Sequence, residues 1–88
     1  MKEARNEYEE ALKTYRELAQ KNPETYLPDV ALTLNNLGIL DSDQNRIAQA
    51  RKEYEEALKI LEDFAKQDPE QYTTDVKRLK TLLDELPK

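Results

Sequence analysis

The chain has 88 residues, enough for one domain with a thin core. Its 19 acidic and 14 basic residues give a net charge of −5, which disfavours nucleic acid and anionic membranes as partners, because both need a cationic footprint. With no Cys, no His and a single Gly, the chain lacks the usual thiolate and imidazole groups and the glycine loops that cradle phosphate, so no catalytic, cofactor or metal site is expected.

The first predicted helix covers about residues 2–21. Ala4, Tyr8, Ala11, Tyr15 and Leu18 recur at spacings of three and four, with Leu12 and Ala19 widening the stripe. Glu9–Lys13 and Glu17–Lys21 are i,i+4 pairs with the acid first, the better order. Asn22-Pro23 stops the segment, since proline disfavours the α conformation just before it.

The second helix is expected over about 28–41, with Pro28 in its first turn, where no donor is needed. Val30, Ala31, Leu34, Leu37 and Gly38 share one side, while Leu32, Ile39 and Leu40 lie elsewhere, the pattern of a helix packed on two faces. It gives way to Asp41-Ser42-Asp43-Gln44-Asn45, read as a polar turn with an Asn suited to the left-handed cap. The same stretch begins like a calcium loop. Arg46 and Lys52, however, stand where such a loop needs Gly and a bidentate Glu.

The third helix, about 46–67, carries Ile47, Ala50, Tyr54, Ala57, Leu58, Leu61, Phe64 and Ala65 on its stripe and closes at Asp68-Pro69. The fourth, about 73–86, has Val76, Leu79, Leu83 and Leu86, and ends at Pro87. No strand pattern and no hairpin turn signal occur, so the fold class is all-α: about four antiparallel helices joined by short connections.

The chain repeats itself. Residues 1–30 align without a gap on residues 47–76, and fifteen of the thirty positions are identical, far more than composition alone would give. The block Tyr-Glu-Glu-Ala-Leu-Lys appears whole at Tyr8–Lys13 and at Tyr54–Lys59. Arg5/Arg51, Glu7/Glu53, Pro23/Pro69, Tyr26/Tyr72 and Asp29/Asp75 are also shared. An antiparallel hairpin turning near Gln44 sets Gly38 opposite Ala50 and Leu34 opposite Tyr54, so close helix packing is expected around Gly38, Ala50, Tyr54 and Ala57.

These residues carry a resemblance. Leu34-x2-Leu37-Gly38, then Ala50-x3-Tyr54, Ala57-Leu58 and a closing Pro69 resemble a tetratricopeptide repeat, and Ala4-x3-Tyr8, Ala11-Leu12 and Pro23 match its second helix again. The 46-residue offset, longer than usual, is similar to the extended repeats of kinesin light chain. Asp41 departs from the pattern, which has an aromatic there, and Leu34 stands where Trp is frequent. The helix order is second-type, first-type, second-type, first-type, as expected of a designed or excised fragment of a solenoid. The fourth helix replaces Leu34-Asn-Asn-Leu-Gly38 by Lys80-Thr-Leu-Leu-Asp84 and reads as a solvating cap.

The resemblance implies a non-enzymatic module or scaffold for protein–protein interaction or self-assembly. The alternative is a peptide-binding adaptor using the concave groove of the second and fourth helices. Asn35 and Asn36 are the peptide-binding candidates, with Asn36 at the family's backbone-holding position; an amide donates and accepts at once, which suits a peptide bond. Self-association is expected through the first helix, whose Ala4, Tyr8, Ala11 and Tyr15 have no preceding partner helix. Two routes are open: a symmetric homodimer pairing these faces, and a swapped one in which residues 41–45 straighten. No membrane span or leader is visible, and the cytoplasm is the expected location.

Overall fold

The computed structural model describes residues 2–87, with side chains from Ala4 onward. Four helices follow one another: α1 (Lys2–Lys21), α2 (Pro23–Asp43), α3 (Ile47–Gln67) and α4 (Pro69–Glu85). No strand occurs among the described residues.

Two helices start earlier than the spacing predicts. α2 begins at Pro23 rather than near 28, and α4 at Pro69 rather than near 73. The reason lies in the residues that stop the helices before them. Asn22 Oδ1 accepts from the Thr25 amide at 3.4 Å, and Asp68 Oδ1 from the Gln71 amide at 3.3 Å. Each is an N-cap followed by proline at the first helical position, so one dipeptide ends a helix and opens the next. Pro28 therefore lies inside α2, where its missing N–H removes a ladder bond.

The α2–α3 turn closes by paired backbone bonds. The Arg46 amide donates to Asp41 O at 2.7 Å and the Asn45 amide to Ser42 O at 3.0 Å. Asn45 takes φ 64°, the left-handed cap expected of it.

Consecutive helices pack against each other. α1 also meets α3 through the Arg16–Glu56 ion pair at 2.8 Å, while α2 meets α4 across a groove. The result is two layers, α1 with α3 and α2 with α4. The core runs through Val30, Ala31 and Leu34 of α2, Ala50, Tyr54, Ala57 and Leu61 of α3, and Val76 and Leu79 of α4. α1 adds little to it: of its described side chains only Ala19 is buried, with Leu12 and Tyr15 packed against the margin. α2, sandwiched between α1 and α3, buries seven residues on more than one face.

Candidate functional site

Three features stand out: a groove, a close helix contact and a buried charge cluster. The groove lies between α2 and α4, about 210 Å³ in volume, with Leu61 of α3 at its floor. Pro28, Asp29, Ala31, Leu32 and Asn35 form one wall, and Tyr72, Asp75, Arg78 and Leu79 the other. Asp29 and Asp75 occupy the same repeat position, so the repeat brings two carboxylates to one groove. Arg78 Nη1 lies 3.4 Å from Asp75 Oδ1. The Asp29 carboxylate has no hydrogen-bond or ion-pair partner among the described residues. Leu32 is 58% exposed, the most exposed large apolar side chain described.

Of the two asparagines singled out in the sequence, Asn35 lines this groove, whereas Asn36 is half-buried and is not among its lining residues. Nothing in the sequence pattern by itself marks Asp29, Leu32, Tyr72, Asp75 or Arg78 as site residues. The Tyr26/Tyr72 and Asp29/Asp75 identities are the signal available for three of them.

The close contact joins α2 to α3. Ala50 and Ala57 are fully buried, and Gly38 is buried between the two helices. A Cβ on Gly38 would fall 2.5 Å from Tyr54 Cε1 and 2.7 Å from Cδ1, so the nearest obstacle is the Tyr54 ring rather than Ala50. Side chains on a helix lean toward its N-terminus, which carries the Tyr54 ring back over the preceding turn and onto Gly38. On α1, the corresponding Ala4, Tyr8 and Ala11 are only half-buried, as is Tyr15, which packs at the edge of the core.

The charge cluster corrects the expectation for residues 41–45. Asp41 is not part of a solvated turn. It belongs to α2, is fully buried, and is ion-paired to Arg5 of α1. Arg5 Nε also bonds Glu9 Oε1 at 2.9 Å. Burial works against the Arg5 charge, but the bond to Asp41 and the nearby carboxylates prevail and raise its pKa. Glu53 of α3 is buried beside Asp41 and receives Gln49 Nε2 at 3.4 Å.

Asp41 Oδ2 and Glu53 Oε1 are both buried without a donor when both acids are ionised. A proton on Glu53 supplies one. Its pKa is pushed up to about 8, first by burial, then by the hydrogen bond to Asp41 and by Asp41's charge. Thus Arg5, Asp41 and a neutral Glu53 tie three helices together at one end. The repeat leaves a trace here: Arg51, equivalent to Arg5, donates to the Pro87 carbonyl at 2.9 Å, and Pro87 is the equivalent of Asp41.

No group of acids that could hold a metal occurs among the described residues, and no described helix is long and apolar enough to cross a membrane. A family model described as tetratricopeptide repeat matches residues 1–63. No curated protein and no solved structure matches the chain.

Proposed function

The chain belongs to the tetratricopeptide-repeat family, and from that premise we propose that it is a non-enzymatic protein-interaction module whose contact site is the α2–α4 groove. The observation that carries this is the groove's make-up. An apolar floor at Leu61 lies beside an exposed Leu32 and a half-buried Tyr72, with Asn35 and two aspartates at hand to orient a partner. Ligand sites are concave and mostly apolar with a few placed polar groups. Asn35 rather than Asn36 is the amide positioned to meet a bound backbone. The test is selection of peptides from a random displayed library. Selected peptides should bind the unaltered chain and lose about tenfold in affinity to Leu32→Gln, which removes apolar contact without changing the charge; equal affinity for the variant would reject the groove.

A second reading, homodimerisation through α1, is favoured by one comparison. Ala50, Tyr54 and Ala57 of α3 are at most 2% exposed, while their repeat equivalents Ala4, Tyr8 and Ala11 are half-buried. Molecular mass measured across concentration tests it.

A further inference from the structure

We infer that the segment seated in the α2–α4 groove is basic and apolar: it presents a Lys or Arg to Asp29 and Asp75, beside an apolar residue that packs on Leu32 and Leu61. This rests on the groove reading above and deepens it. Three observations support it.

The first is charge. Two carboxylates and one guanidinium line the groove, which leaves one negative charge in excess. Arg78 is already engaged with Asp75, so the unmatched group is Asp29. Asp29 is half-buried and makes no side-chain bond among the described residues. A partly buried carboxylate loses hydration without gaining a counter-charge, and an incoming cation supplies one.

The second is shape. The side chains of Lys and Arg lay an aliphatic stem on apolar surface and carry the charge at the tip. The groove offers that order: accessible apolar surface at Pro28, Leu32 and Tyr72, with carboxylates among them.

The third is exclusion. A net charge of −5 on the whole chain repels an acidic segment at long range and favours a basic one. An uncharged apolar segment would fill the floor but leave Asp29 buried and unmatched.

The test uses the whole chain and a displayed library of random peptides, followed by titration of individual selected peptides. The expected result is enrichment of sequences with Lys or Arg next to Leu, Ile, Phe or Tyr. Binding should weaken about tenfold in Asp29→Asn, the size expected for one partly exposed charge contact, and should weaken as NaCl is raised. Should Asp29→Asn alter the fold, replacing the peptide's Arg by norleucine on the unaltered chain reads the same contact and should cost the same factor. Neutral or acidic peptides that bind, and that lose affinity to Leu32→Gln but not to Asp29→Asn, would overturn the basic partner while leaving the groove in place. Peptides indifferent to Leu32→Gln, or no peptide selected at all, would overturn both.

Discussion

The Tyr54 ring occupies the space that a side chain on Gly38 would need. Tyr54 is 2% exposed and fixed between α2 and α3, so it has little room to retreat from an added methyl group placed 2.5 Å from its Cε1. Gly in a helix interior costs ~1 kcal/mol relative to Ala, and here that cost is offset by bringing a large ring into the core.

Gly38→Ala is therefore expected to destabilise, although alanine is the better helix former. Overpacking of this kind typically costs ~1–3 kcal/mol, more than the ~1 kcal/mol of propensity regained. Urea unfolding of Gly38→Ala, Tyr54→Leu and the double variant Gly38→Ala/Tyr54→Leu checks it. The double variant should show a smaller penalty than the two single changes predict. Additive penalties would mean that the ring does not crowd residue 38.

Much of the fold is legible in the sequence because it is set by local rules. The three-four spacing from Ala4 to Leu18 and from Ile47 to Ala65 marks two amphipathic helices, and the alignment of 1–30 on 47–76 predicts that they play the same part. The start of α2 is harder to see, because Asn22-Pro23 is both a stop and a start. Only the capping bond to the Thr25 amide reveals the second role. Asp41 is misleading for a different reason. Among Ser42, Asp43, Gln44 and Asn45 it looks like a turn residue, and what permits its burial is Arg5, 36 positions away. The groove was half visible. The Asp29/Asp75 identity could be read, but which helix faces meet is a product of packing.

Arg5→Met should loosen α1. It would leave Asp41, fully buried, without its counter-charge. Removing one partner of a buried pair costs ~3–5 kcal/mol; Arg5 keeps a side-chain exposure of 20%, so about 2–3 kcal/mol is expected here. Arg5→Met/Asp41→Asn should recover part of the loss, because an amide needs no counter-charge. Hydrogen exchange should show the amides of α1 losing protection first. Unchanged protection in α1 would mean that the pair does not anchor it.

Glu53 makes stability depend on pH in a definite direction. Its ordinary value is 4.5 and its folded value about 8, so between these the folded chain holds one proton more than the unfolded chain. Raising pH across this window therefore favours unfolding. The contribution of neutral Glu53 is complete below about 4.5 and is lost as pH rises through 8. Glu53→Gln keeps a donor toward Asp41 and cannot ionise. Thermal midpoints between pH 5 and pH 9 should fall more steeply for the parent than for Glu53→Gln. Parallel curves would show that Glu53 is already ionised at neutral pH.

The unequal burial of two equivalent stripes makes self-association an outcome to test. Ala50, Tyr54 and Ala57 are sealed by α2, whereas Ala4, Tyr8 and Ala11 of α1 remain half-buried, and Leu18 on the same helix is 37% exposed. α4 of a second copy is a poor cover for that stripe. Asp84 stands at the repeat position of Gly38, so a head-to-tail stack would press a charged side chain onto Tyr8. Pairing of two α1 faces avoids this clash, because each copy then supplies Tyr8 and Tyr15 to the other. A charge of −5 on each chain opposes association, so the dimer should strengthen with added salt. The swapped alternative has to break the bonds that close the turn, Arg46 to Asp41 and Asn45 to Ser42. Light scattering over concentration, at low and high salt, should give a mass rising toward twice the monomer. Tyr8→Glu should return it to the monomer if α1 faces pair, and leave it unchanged if the chains exchange halves. A mass that stays monomeric at millimolar concentration and high salt would exclude both.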